Sequence, residues 1–169
     1  MYLKGVVKFR ILILCCSLMF CLDIRTQTVS DSVPNFNTDS LISFSKQFIG
    51  TKYRYATCNP KLGFDCSGFV YYVYSQFGIK VPRSSYDFNR FGVKIPRDSC
   101  KSGDVIVFTG TNAANRAPGH VGIIISNINN EIRFIHSSSN KKHSGVKISS
   151  FKESPYYEKR FLKIVRIPH

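Results

Sequence analysis

A chain of 169 residues is long enough for one domain with its own core and too short for two ordinary ones. Its 24 Lys and Arg against 10 Asp and Glu give a formal charge of +14, which suits an anionic partner such as nucleic acid, anionic lipid or a wall polymer. The basic residues are scattered, with NKKHSG (140–145) the densest cluster beyond the first residues, and no nucleic-acid motif accompanies them, so nucleic acid is not an expected partner.

The chain begins with MYLKGVVKFR, carrying Lys4, Lys8 and Arg10, and continues with the short apolar run ILILCCSLMFCL. A basic start and a run well under the ~20 residues of a membrane span read as a secretory signal over residues 1–28, with processing near IRTQTVS. An uncleaved anchor or a core helix is the alternative. Cys15, Cys16 and Cys21 offer a lipid-modified cysteine, although Leu14 and Phe20 are unfavourable residues to precede one. Membrane association is expected only through such an anchor. Loss of the leader still leaves a basic body.

Residues 29–37, VSDSVPNFN, read as a polar linker. DSLISFSKQFIG then predicts a helix capped by Asp39 or Ser40, with Leu41, Phe44 and Phe48 as its stripe and Gly50 at its end. TKYRYATCNPKLGF is loop-like, with Asn59-Pro60 and Gly63 as turn signals. A second helix runs from Cys66 to Phe77. Asp65 is its cap, and Cys66, Phe69, Val70, Val73 and Phe77 share one face; Gly78 is its stop. VPRSSYDFNRFG holds a short third helix after Pro82. From Gly103 the pattern changes to short, β-branched runs: DVIVFTG, HVGIIIS, EIRFIHS, GVKISSF and RFLKIVRI. Helices followed by strands predict an α+β fold with an antiparallel sheet of five to six strands, in one domain over residues 38–168.

Three cysteines lie in the body: Cys58, Cys66 and Cys100. In an oxidising compartment an odd count suggests one pair and one free thiol, dividing as Cys58–Cys100 with Cys66 free; the alternative is three thiols. Cys66 stands where a helix begins. The first turn offers unpaired N–H groups and the positive end of the dipole, which favour a thiolate. A neighbouring histidine would serve as proton carrier. His143 and His169 lie in a basic loop and at the last position, whereas His120 begins one strand and His136 ends the next. A hairpin turn centred near residue 128 pairs residues whose numbers sum to about 256, as those of His120 and His136 do. A register error of one residue would put them on opposite faces. A buried structural cysteine with satisfied strand histidines is the plainer reading of the same residues. Zinc is disfavoured, since no C-x₂-C or H-x₃-H spacing occurs, and no metal or cofactor is expected.

FDCSGFV, GDVIVF, GHVGIII and FIHSSS, in that order, closely resemble the NlpC family of bacterial cell-wall cysteine peptidases, and GTKYRYA is similar to the family's Gly-x-Pro-Tyr segment. The resemblance implies a papain-like fold, with the nucleophile helix packed on the sheet that carries the histidines. It implies cleavage within peptidoglycan stem peptides, typically between D-γ-glutamyl and diaminopimelyl residues, through a thioester. Cys66 is then the nucleophile, His120 the base and later acid, and His136 the orienting third member. Backbone N–H groups at the helix start are oxyanion donors. Tyr53, Asp65, Ser67, Ser84 and Ser85 are the candidate substrate-binding residues. Lys52 stands where proline is common. Ser84 stands where some relatives carry an aspartate that binds the amine of a trimmed stem peptide, which shifts the expected substrate toward intact or cross-linked wall. The expected protein is an exported monomer, periplasmic or extracellular, acting on peptidoglycan or muropeptides. An amidase or acyltransferase on the same scaffold, or a non-catalytic wall-binding domain, are the rival readings.

Overall fold

The computed structural model describes residues 36–168. The expected leader (1–28), with Cys15, Cys16 and Cys21, lies outside the described residues, as does most of the linker. No helix among the described residues is long and apolar enough to cross a membrane.

Helix α1 spans Thr38–Lys46, and its cap is Asn37, not Asp39 or Ser40: Asn37 Oδ1 accepts the Ser40 N–H at 3.1 Å. Asp39 instead lies in the first turn, where its charge meets the positive end of the helix. Leu41 and Ile42 are buried, while Phe44 and Phe48 pack edge-on and against Tyr72 and Phe77 of the next helix. The 51–64 segment is more than a loop. It holds the small hairpin β1 (Cys58–Asn59) and β2 (Gly63–Phe64). Helix α2 (Cys66–Ser75) is capped as expected, Asp65 Oδ1 accepting the Gly68 N–H at 2.6 Å. Gly68 allows the hairpin to press on this helix, because a Cβ there would lie 2.1 Å from Thr57 O. The helix expected after Pro82 is a single 3₁₀ turn, Tyr86–Asn89.

Six further strands form one antiparallel sheet: β3 (Val93–Ile95), β4 (Val105–Thr109), β5 (Pro118–Ile128), β6 (Glu131–Ser138), β7 (Gly145–Ser150) and β8 (Phe161–Arg166). Their order is β3-β8-β4-β5-β6-β7. A short helix α3 (Pro155–Arg160) precedes β8. This is the α+β arrangement expected, with the Cys66 helix packed on an antiparallel sheet. Alternation along the strands divides the interior in two. Val105, Val107, Val121, Ile123, Ile135 and Val165 face Phe69, Val70 and Val73 of α2. Ile106, Phe108, Ile124, Phe134 and Ile164 face the other way, beneath Cys100, Phe151 and Tyr157.

This division separates two of the cysteines. Cys58 pairs with Phe64, which belongs to the α2-side core, while Cys100 belongs to the opposite core and receives a hydrogen bond from Asn127 Nδ2. The expected Cys58–Cys100 pair does not form, and all three body cysteines are free thiols.

The β5–β6 hairpin turns at Asn129-Asn130, later than expected, both with positive φ (52° and 62°), as a two-residue type I′ turn requires. Its first pairs, Ile128↔Glu131 to Ser126↔Arg133, sum to 259. Continued unchanged, that register would set His120 and His136 on opposite faces. A bulge at Ile125 removes one residue, so that Ile124↔Phe134 and Ile123↔Ile135 sum to 258. The two histidines thereby share a face as diagonal neighbours, not direct partners. Gly122 provides room beside them: a Cβ there would meet Phe134 Cδ2 at 2.8 Å and His136 Cβ at 3.1 Å.

Candidate active site

Helix α2 packs on one face of the sheet and the histidines lie on the other, so the thiol must reach past the sheet. It does so where β5 and β6 part. Their pairing ends at Ile123↔Ile135, while β6 continues alongside β7 through Ser138↔Gly145. The start of α2 enters this opening. Ser137 Oγ donates to Phe64 O at 2.7 Å, and Cys66 Sγ points at Gly119 O, 3.9 Å away. Cys66 is 8% exposed.

Two clefts meet at Cys66, sharing Tyr53 and Gly119. The first, of about 460 Å³, is lined by Asp65, Ser67, Arg83, Ser84 and Ser85, so all the expected substrate-binding residues border it. Several of them are already engaged. Asp65 caps α2 and takes a two-pronged ion pair from Arg83, Nη2 to Oδ2 at 2.7 Å and Nη1 to Oδ1 at 3.0 Å. Ser67 Oγ donates to Asp65 Oδ1 at 3.2 Å. Ser84 Oγ accepts the Tyr86 N–H at 3.3 Å, and Ser85 and Tyr53 remain the more available groups. Burial, then Cys66 and Asp65, push the Tyr53 phenol up to about 12, so it stays a proton donor. The second cleft, of about 190 Å³, is lined by His120, Ser138, Tyr156, Tyr157 and Arg160.

His120 and His136 lie in an aromatic box. His120 stacks on Tyr157 at 6.3 Å and lies beside Phe108, and His136 meets Phe134 and Tyr157. His120 Nε2 is 2.9 Å from His136 Nδ1, and His136 Nε2 is 3.0 Å from Ser149 Oγ and 3.3 Å from Tyr157 OH. A chain of polar groups thus leads from the cleft into the interior and leaves His120 Nδ1 free of it.

Electrostatics reverse one expectation. A helix-start thiol is expected to be acidic, and the backbone N–H groups of Val121, Ser67 and Cys66 do favour its anion, but burial and then the Asp65 charge push it above its ordinary value. Burial, and then the Arg160 charge, lower His120 to about 3. His136 is held well below the ordinary histidine value by burial, then by His120, Lys147 and Arg160. Burial thus opposes both the charged thiolate and the charged imidazoles in the free site. No group of three or more His, Cys, Asp or Glu side chains among the described residues is arranged to hold a metal ion.

Sequence reasoning missed Arg83, Tyr157 and Arg160. Arg83 follows Pro82 in a segment already singled out, of which only Ser84 and Ser85 were read as site residues. Tyr157 and Arg160 come from α3, a six-residue helix with Pro155 at its start and no side-chain cap, too short to leave a periodic signal.

The family model of the NlpC/P60 family matches residues 50–166. The chain is 37% identical over 119 residues to the Murein DD-endopeptidase MepS/Murein LD-carboxypeptidase of Escherichia coli (strain K12), covering 70% of this chain and 56% of that protein. It is 29% identical over 131 residues to the Gamma-DL-glutamyl hydrolase of Bacillus subtilis (strain 168), covering 78% of this chain and 30% of that protein. The chain thus spans between about a third and somewhat over half of these relatives' lengths. A crystal structure of an NlpC/P60 family protein from Bacillus cereus superposes with a TM-score of 0.69 at 31% identity, covering 80% of this chain and 42% of that one.

Proposed function

The chain belongs to the NlpC/P60 family, and from that premise we propose that it is an exported cysteine endopeptidase that hydrolyses peptide bonds in peptidoglycan stem peptides. The observation that carries this reading is the junction at Cys66: a helix-start thiol and His120 line one cleft, and His120 is held by His136 at 2.9 Å. Cys66 Sγ attacks the scissile carbonyl carbon while its proton passes to His120 Nδ1. The tetrahedral oxyanion is received by the Cys66 N–H and the Tyr53 hydroxyl. Collapse to the thioester expels the amine, which takes the proton from His120. Water then attacks the thioester, with His120 as base, and frees the thiol.

The relay fixes the tautomers. For His120 Nδ1 to accept a proton, its Nε2–H must donate to His136 Nδ1. His136 Nε2–H then donates to Ser149 Oγ or Tyr157 OH, the two oxygens within reach. The third member orients the base, in the manner of a triad. Burial opposes both the thiolate and the imidazolium, which favours proton transfer accompanying attack over a pre-formed ion pair.

We place the cut at the D-γ-glutamyl–diaminopimelyl bond of intact or cross-linked wall. The relatives' names divide here, one naming a γ-glutamyl bond and the other a D,D bond. The test is a digest of purified peptidoglycan by the protein and its Cys66→Ala variant, read by mass spectrometry. New fragments with the wild type alone are expected, and their masses name the bond. An unchanged digest from folded protein would sink the reading. An amidase or acyltransferase on the same scaffold would instead release a different product from an acyl donor.

A further inference from the structure

Arg83 lines the first cleft, Arg160 the second, and Arg166 lies in β8 away from both; the three differ in how their charge is met. Arg83 pairs with Asp65 and Arg166 with Asp104, each side chain more than a third exposed. Arg160 is 5% exposed, yet no carboxylate pairs with it among the described residues. Its Nε donates to Gly110 O at 2.8 Å and its Nη2 to Thr109 O at 2.6 Å, while the guanidinium lies over the Tyr156 ring at 4.4 Å. These contacts use one edge of the group. Nη1 makes no hydrogen bond to the described residues. The one sealed polar side-chain atom left unpaired among them is Asn127 Oδ1, so Nη1 is not closed off from solvent.

Arg160 lines the cleft that holds Cys66 and His120, and no Asp or Glu lines that cleft. A desolvated cation is costly unless an anion meets it, and a guanidinium edge matches a carboxylate. The cleft also has a direction. His120 must deliver its proton to the departing nitrogen, so the half of the substrate that leaves as an amine lies on the His120 side, with Arg160.

We propose that Arg160 determines specificity by receiving, through Nη1, a free carboxylate carried on the amine-leaving half of the substrate. The inference rests on the endopeptidase reading above. It has a consequence for the chemistry: the Arg160 charge opposes protonation of His120, and a carboxylate seated on the guanidinium offsets that charge when the proton must be taken up. Ser138 and Tyr156 border the same cleft and add hydroxyl donors around the anion.

The test uses two stem-peptide substrates that are identical except that this carboxylate is free in one and amidated in the other. The wild type is expected to cleave the free form with kcat/KM roughly 10-fold higher or more. Arg160→Gln should lose that preference and cleave both at the slower rate; Arg160→Lys, keeping charge without the fork, should fall between. A purely structural clamp from α3 to the end of β4 would lower both rates alike and leave the preference intact. Should Arg160→Gln fail to fold, competition of the two peptides for the Cys66→Ala protein reads the same preference with Arg160 in place. Wild-type indifference to amidation, or a preference that survives in Arg160→Gln, overturns the inference while leaving the endopeptidase standing. Failure of the wild type to cut or bind either peptide overturns both.

Discussion

On the Asp65 side of Cys66 the charges satisfy one another. Asp65 caps a helix, holds Arg83 with both oxygens and accepts from Ser67. On the His120 side they do not: two imidazoles whose protonation burial opposes lie among aromatic rings, and a buried arginine pairs with no carboxylate among the described residues. The first wall is finished before any substrate arrives, and its charged groups serve the fold. On the proposed mechanism, the second holds groups whose protonation and charge change when a substrate binds. Polar residues that line a cleft are therefore not all equally available to a substrate, and the hydrogen-bond inventory separates them.

Substitutions on the second wall should sharpen that contrast most. His120→Ala should cut kcat/KM by about 10³-fold or more, since it removes the group proposed to carry the proton. His136→Ala should cost less, about 10- to 100-fold, because in the proposed mechanism it orients the base and does not react. Gly122→Ala should resemble His136→Ala, as its methyl would press on Phe134 and His136. Thermal melts run beside the kinetics decide the matter: activity lost with the melting transition kept supports the roles, and loss of folding in step with activity argues against them.

The first wall should break in the opposite sense. Asp65→Ala removes the cap of α2 and leaves Arg83 unpaired. Losing such a cap costs about 1–2 kcal/mol; the ion pair adds little, because Arg83 is partly exposed. Urea unfolding should register that loss, with KM changed more than kcat. A larger effect on kcat than on stability would mean that Asp65 takes part in the chemistry.

The helices, the antiparallel sheet and the placing of Cys66, His120 and His136 together were legible in the sequence; the contrast between the walls was not, and the omissions have physical causes. The α2 cap and stop could be read because Asp65 and Gly78 act within one turn of the chain. The shared face of the two histidines was anticipated from a turn placed too early. The reading survived because the bulge at Ile125 restored the parity that the true turn at Asn129-Asn130 had changed, and a bulge leaves no pattern in a run of three isoleucines. Strand β3 is short and mostly exposed, so no alternation marked it. Asn37 capped α1 where Asp39 and Ser40 were equally good by residue type, because position and not chemistry decides among adjacent polar residues. Tyr157 and Arg160 acquire their meaning only from β8 folding back beside β4, a contact no local pattern encodes. The raised Cys66 thiol was missed for a related reason: helix position is local, whereas burial is set by the whole fold.

The most diagnostic effect should appear with pH. Both histidines bind a proton less readily in the folded protein than in the unfolded chain, His120 with its value lowered to about 3 and His136 well below the ordinary 6.5. Above about 6.5 both states leave them neutral, so they contribute no slope. As pH falls below that value the unfolded chain takes up protons that the native site refuses, and stability drops. Each such histidine costs up to about 1.4 kcal/mol per pH unit, or about 2 kcal/mol at pH 5 for His120. Urea midpoints from pH 7.5 to 5 should therefore fall, and His136→Asn should flatten the fall by removing one of the two refusals. The kinetic counterpart has the same sign: the acid limb of kcat/KM should lie well below 6.5, because the base stays neutral there. A midpoint slope unchanged in His136→Asn, or the His120 or His136 imidazole itself titrating near 6.5 by NMR in the Cys66→Ala protein, would show that the second wall is wetter than its aromatic box implies. The contrast between the two walls would then rest on Arg160 alone.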